Sequence, residues 1–152
     1  MKRMFLAATA AAFLVAGPAA AQDACRYWQQ QTQAADPQLM AQLAGVWRSQ
    51  EPNGAGGMAQ VTSQLGPDGT MLYDRQTCYS MAGLGTSCPQ STGHGWWVAH
   101  MSGPNQIFLA TNLTTSLVNG QMTQGCGGGN YVILGPGALG DANGRLVMQR
   151  VQ

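Results

Sequence analysis

Residues 45–79 read GVWRSQEPNGAGGMAQVTSQLGPDGTMLYDRQTCY, and this stretch decides the fold. It contains three short runs: Val46–Gln50, Met58–Leu65 and Thr70–Tyr79. Glycine-rich Glu51–Gly57 separates the first two. Gly66-Pro67-Asp68-Gly69 separates the second and third, and its Gly-Pro step sets a tight turn. No helix start occurs here. Short apolar runs between turn signals mark an all-β domain.

The same texture continues to the end of the chain. Further strands are expected at Trp96–Met101, Ile107–Thr111, Tyr131–Leu134, Ala138–Leu139 with its neighbours, and Arg145–Val151. That makes seven or eight, with room for another short one at Ser116–Val118. Three connections are tight and carry Gly-Pro: Gly66–Gly69, Gly103-Pro104-Asn105 and Gly135-Pro136-Gly137. The others, Glu51–Gly57, Ser80–Gly95, Asn112–Asn130 and Gly140–Gly144, are glycine-rich and most are longer. In an antiparallel up-and-down arrangement alternate connections fall at opposite ends. One end is then closed by tight turns and the other carries the long loops, as the mouth of a barrel does.

The chain upstream of Gly45 is different. Lys2 and Arg3 precede an apolar run from Met4 to Val15, and Ala19-Ala20-Ala21 follows Gly17-Pro18. A basic start, an apolar stretch and a small-residue end predict a secretory signal peptide over 1–21. The apolar run is too short to span a bilayer. Residues 22–44 read as an N-terminal helical segment. Asp23 is expected to cap a first part containing Cys25, Tyr27 and Trp28. Asp36-Pro37 restarts the helix as an N-cap followed by proline. Leu39, Met40 and Leu43 share one face of it, and Gly45 ends it. Residues 45–152 form the β domain.

After residue 21 the chain holds five arginines, six acids and no lysine, a net charge of −1. That balance gives no basic patch for nucleic acid or anionic lipid. No apolar run is long enough for a membrane span. All four cysteines, Cys25, Cys78, Cys88 and Cys126, lie in this part. An even number in an exported small domain predicts two disulfides, and no C-x₂-C knuckle suggests a metal site. Three pairings are open. Joining Cys78 to Cys88 closes the shortest loop and leaves Cys25 with Cys126, which requires the first helical part to pack back along the barrel. The expected compartment is the periplasm or the extracellular medium.

Gly45-Val46-Trp47 at the start of the first strand, together with Arg150 on the last, resembles the lipocalin and wider calycin superfamily. In that family the first-strand tryptophan packs at the closed end of the barrel, beneath an arginine from near the chain end. The parity of the turns separately places Trp47 and Arg150 at the tight-turn end, where a cation–π contact would help seal the base. The resemblance implies a small bacterial lipocalin-like barrel that binds small apolar ligands, inhibits proteases or assists the envelope. The fold expected is an antiparallel up-and-down lipocalin-like barrel or a strongly curved sheet.

Few residues carry chemistry. His94, in Gly93-His94-Gly95, is placed at the loop end, and His100 shares a strand face with Trp96 and Val98. They are read as a mouth-loop residue and a half-buried one, and no metal or cofactor is expected. Cys126, flanked by glycines, could sit beside open amides as a nucleophile does, but a bridged sulfur cannot. No catalytic constellation occurs, so an enzyme is not expected. Trp96 is taken to point inward with Tyr73, Phe108 and Tyr131, either as an aromatic ligand cavity or as barrel filling, with His94 at the rim. If Arg75 faces inward, it needs a partner or an anionic ligand. The leading expectation is a binding module for a small apolar or amphipathic ligand. The alternative is a protein-binding module, such as a protease inhibitor or envelope partner, using loop 80–95 or 112–130.

Overall fold

A computed structural model describes residues 18–52, 57–81, 83, 85–116 and 120–151. Residues 1–17 of the expected signal peptide, and 117–118 of the possible extra strand, lie outside the described residues. The elements are α1 (Pro18–Gln33), α2 (Pro37–Leu43), β1 (Gly45–Pro52), β2 (Met58–Leu65), β3 (Thr70–Thr77), β4 (Tyr79–Met81), β5 (Gly85–Ser87), β6 (Gln90–Gly103), β7 (Gln106–Ser116), β8 (Met122–Gly135), β9 (Ala138–Gly140) and β10 (Leu146–Arg150).

Eight strands close into a barrel in chain order, β1-β2-β3-β6-β7-β8-β9-β10 and back to β1. Every neighbouring pair is antiparallel. An even strand count allows a simple meander to close antiparallel on both sides, which leaves no free edge. The excursion from β3 to β6 forms a separate two-stranded ribbon, β4–β5, and the Cys78–Cys88 disulfide spans its ends. The second disulfide joins Cys25 to Cys126. Among the described residues no helix is long and apolar enough to cross a membrane.

Three expectations need correction. First, α1 begins at Pro18, so Asp23 lies inside the helix and is not its cap. Ala19, Ala20 and Ala21 are the best helix formers and Gln22 is a good one, so nothing stops the helix there. Second, residues 90–95 are not loop. They already belong to β6 and pair with β3, Tyr73 opposite Gly93 and Arg75 opposite Ser91. Third, most of 112–130 is strand. Asn112 pairs with Cys126, and Thr115 with Thr123, in an unbroken β7–β8 ladder. Glycine, threonine and asparagine read as loop in isolation, but a ladder already in register extends through them. Because existing barrel strands lengthen and the added β4–β5 ribbon stays outside the barrel, the parity of the two ends survives.

α2 closes the tight-turn end. The Asp36 carboxylate accepts from the amides of Gln38 at 2.9 Å and Leu39 at 3.1 Å, with Pro37 in the first turn. The Asp36 amide donates to the Ala99 carbonyl at 2.9 Å, which ties the helix start to β6. Leu39, Met40 and Leu43 are buried on the barrel floor. The Trp47 Nε1–H donates to the Leu43 carbonyl at 2.8 Å, and the Trp97 Nε1–H to the Gly66 carbonyl at 2.9 Å. Gly69, at φ 86°, turns the chain so that its carbonyl accepts from the Trp97 amide at 2.8 Å. A side chain at that φ would be strained. The Arg150 guanidinium lies 5.7 Å from the Trp47 ring centroid, the contact expected at the base.

α1 packs outside the barrel, on β6, β7 and β8. Tyr27 meets the Phe108 ring edge-on, with centroids 5.7 Å apart, and Phe108 stacks on His100. His100 Nε2 is 2.6 Å from Gln31 Oε1. Gly128 leaves space for Phe108, because a Cβ there would stand 2.8 Å from Phe108 Cζ.

Candidate functional site: the upper lumen of the barrel

Strand alternation decides what faces the lumen. On β2 the buried residues are Ala59, Val61, Ser63 and Leu65. Their partners on β3 place Met71, Tyr73 and Arg75 on the same inner wall. On β7 the inner positions are Ile107, Leu109, Thr111, Leu113 and Thr115. Opposite them on β8 stand Tyr131, Gly129, Gly127, Gly125 and Thr123. The three inward glycines follow the two-residue period and leave that wall bare. A Cβ at Gly125 would meet nothing within 4 Å, and one at Gly127 would meet only Thr111 Oγ1 at 3.7 Å.

Beside Gly129 lies a cavity of about 450 Å³, walled by β1, β2, β3, β7, β8 and β10. Its apolar surfaces come from Val61, Met71, Leu109 and Met148, and its polar ones from Ser49, Ser63, Thr111 and Asn130. A second hollow of about 390 Å³ lies above it towards the mouth and shares Tyr73 and Leu113 with it. Arg75, Ser91, Thr115 and Thr123 surround this upper hollow. Below, Trp47, Trp97 and Ile107 fill the floor, each at most 2% exposed.

The charges in the lumen are few. Arg75 Nη1 lies 3.9 Å from Glu51 Oε2, beyond hydrogen-bond reach, and Arg75 Nε is buried without an acceptor. The Asp141 carboxylate, on the rim, accepts from the amides of Asn143 and Arg145 and so shapes its own loop. Burial pushes the Tyr131 hydroxyl above its ordinary value, and the negative Glu51 adds to the shift. Burial does the same to Tyr73, with Glu51 adding and Arg75 opposing.

Of the residues expected to form a ligand cavity, Tyr73 and Tyr131 line the lumen. The other three do not. Trp96 points outward and is 55% exposed, and Trp97 takes the inner position. In a Trp-Trp pair alternation guarantees one indole on each face but does not say which. Phe108 lies on the outer face of β7, sandwiched by Tyr27 and His100. His94 is an exposed strand residue on that outer face, paired with Leu72 and Thr114, and not a mouth-loop residue. His100 is indeed partly buried, with Nδ1 3.1 Å from the Met101 carbonyl. Cys126 faces out towards α1, where its disulfide removes it as a nucleophile. The Asp74 carboxylate accepts from Gln90 Nε2. Among the described residues no three His, Cys, Asp or Glu side chains group to hold a metal.

Sequence reasoning missed Glu51, Met71, Leu109 and the glycine wall. Glycine at 125, 127 and 129 carried a signal: inside a strand, spacing by two empties a single face.

No protein-family model, curated protein or solved structure matches the chain.

Proposed function

We propose that this protein is an exported, lipocalin-like binding barrel that holds a small apolar or amphipathic ligand in its upper lumen. The observation that carries this reading is the cavity of about 450 Å³ above a filled floor. That volume lies in the range of ligand sites, roughly 300–1,000 Å³. An unused interior would be expected to fill with side chains, as small barrels do. Here Gly129 leaves one wall of the cavity bare, and Gly125 and Gly127 do the same for the hollow above it. Two disulfides support export, because such bonds persist in oxidising compartments. The Trp47–Arg150 contact supports the lipocalin-like reading.

The test is a fluorescence titration with N-phenyl-1-naphthylamine, a neutral apolar dye that brightens out of water. The wild-type protein should bind it saturably, one per chain. Gly127→Leu should abolish binding, since its side chain would occupy the lumen, while circular dichroism stays unchanged. Absence of saturable binding, or equal binding by a folded Gly127→Leu, contradicts the proposal.

The alternative, a protein-binding module, has one observation in its favour. Leu72 and Trp96, 56% and 55% exposed, are diagonal neighbours on the outer face of β3 and β6. Two large apolar side chains at such a position suit a protein contact. Trp96→Ala should leave dye binding intact and weaken only a contact of that kind.

A further inference from the structure

We infer that apolar ligands enter and leave the lumen through the side of the barrel, by a slot between β1 and β10, and not through its mouth. The inference rests on the lumen being a ligand site and adds the route to it.

The ring of strands is complete only near the floor. The β7–β8 ladder runs for eleven residue pairs, from Gln106–Val132 to Ser116–Met122. The β10–β1 ladder has three, from Trp47–Arg150 to Ser49–Met148. At about 3.3 Å per residue these are roughly 36 Å and roughly 10 Å of strand. Above Ser49, β1 continues on its β2 side, with Gln50 opposite Gln60 and Glu51 opposite Ala59. Among the described residues none on β10 is in register with Gln50 or Glu51. The cause lies in β10, whose register against β9 shifts between Leu146 and Met148. A bulge of this kind bends a strand and raises its twist, which carries β10 off the line of β1 at Val147.

A hollow of about 490 Å³ lies on the outer face over this gap, and it meets the lumen cavity in the wall. Ser49, Gln50, Val61 and Val147 line both. In an unbroken strand wall each side chain serves one face. Here Ser49 and Val61, which alternate inward, also line the outer hollow, and Gln50, which alternates outward, also lines the inner one. The wall is therefore perforated at this point. Met58 and Leu146, 51% and 55% exposed, stand at the outer end of the passage. Arg48, the charged residue lining the outer hollow, is exposed to water there. The turn that follows β9 is fixed, because Asp141 accepts from the amides of Asn143 and Arg145 and its own amide donates to the Arg145 carbonyl.

The mouth offers an apolar molecule a worse path. The side chains of Tyr73 and Arg75 are hydrogen-bonded, and Arg75 faces Glu51 across 3.9 Å. Glu51 lines the cavity, Arg75 the hollow above it, and Tyr73 both, so this polar belt lies between the two. Beyond it stand the hydroxyls of Ser91, Thr115 and Thr123. An apolar molecule passing the belt strips water from charged groups and returns no hydrogen bond, which costs free energy. The slot instead passes Val61 and Val147, with only the uncharged Ser49 and Gln50 beside them.

The experiment follows the same naphthylamine dye by stopped-flow fluorescence on Gln50→Cys, at the slot, and Thr115→Cys, at the mouth. Each is measured before and after labelling with N-benzylmaleimide, and saturable dye binding before labelling shows that the variant is folded. Labelling Gln50→Cys should slow uptake and release alike by about tenfold, a barrier rise of about 1.4 kcal/mol. Their ratio, the Kd, should stay unchanged. Labelling Thr115→Cys should change neither rate. Val147→Ala, which widens the slot, should speed both rates together. Unchanged rates in labelled Gln50→Cys, or slowed rates in labelled Thr115→Cys, overturn the assignment. So does a label on Gln50→Cys that weakens the Kd by speeding release alone, since Gln50 would then belong to the site and not to the passage. If labelling unfolds Gln50→Cys, Val147→Ala decides, and unchanged rates there overturn the slot. If wild type does not bind the dye at all, the lumen reading itself fails.

Discussion

The two ends of one β7–β8 hairpin are built on the same backbone ladder, yet they do opposite things. At the floor, Ile107 and Leu109 are 0% and 6% exposed, and Ile107 faces Tyr131 across the ladder. Towards the mouth the inner positions become Thr111, Leu113 and Thr115, and Gly127, Gly125 and Thr123 face them. The hydrogen-bond register does not change between these halves. Only side-chain volume does. A closed barrel needs its ladder to exist, but it needs a packed interior only over part of its height. The floor, with two tryptophans and α2 stacked on it, supplies the packing. The mouth is free to be hollow, polar and charged. Packed core and open space are thus separated along the barrel axis.

The largest effect should come from excavating the floor. Trp97→Ala should cost about 3–5 kcal/mol of stability, the usual loss for a buried aromatic, read as a shift in denaturant midpoint. A loss comparable to that of a surface substitution would mean that the floor does not carry the fold.

The next effect concerns the clamp that holds α1 to the outside of β8. Replacing Cys25 and Cys126 together by serine opens a crosslink between residues 101 apart, against 10 for Cys78 and Cys88. Chain entropy alone puts these at about 4.7 and about 2.7 kcal/mol, and measured losses are commonly about 2–4. The first pair should therefore lower the midpoint more than the second, and the reverse order would contradict the role given to the α1 clamp. Neither pair faces the lumen, so dye affinity should change little.

A smaller effect distinguishes the halves by pH. Burial holds the Tyr131 phenol protonated above its ordinary value of 10.0. The folded pKa is raised, so this group's contribution to stability is full below pH 10 and is lost as pH climbs through the folded value. Tyr131→Phe should flatten the alkaline fall in stability. Identical alkaline profiles for the variant and wild type would contradict that burial. The smallest expected effect is Gly127→Leu on stability, within about 0.5 kcal/mol if the lumen is open, as for a surface position. A loss of several kcal/mol would show that the space is not there.

Much of this separation is legible in the sequence. Gly-Pro at three alternate connections marks the closed end, and Asp36-Pro37 with Leu39, Met40 and Leu43 marks the helix that plugs it. Parity also puts Trp47 and Arg150 together. The two disulfide pairs are those that the shortest-loop argument selects. What the sequence hides follows from two physical facts. A strand's period fixes alternation but not phase, so the pattern alone gives Trp96 the place that Trp97 takes, and sets Phe108 inside although α1 covers it outside. Residues of low strand propensity read as loop, so the long ends of β6, β7 and β8, and with them the glycine wall, pass for connections. Glu51 falls in an expected loop for the same reason, though it lies in β1 opposite Ala59.

The most direct measurement is amide NMR mapping of the folded protein as decanol is added. Shifts are expected at the inner positions of the upper barrel, Met71, Leu109, Thr111, Gly127 and Gly129, with little change at Leu72, Trp96 and Phe108 on the outer face. Shifts concentrated at Leu72 and Trp96, with the glycine wall silent, would contradict a binding lumen and put the functional surface outside the barrel.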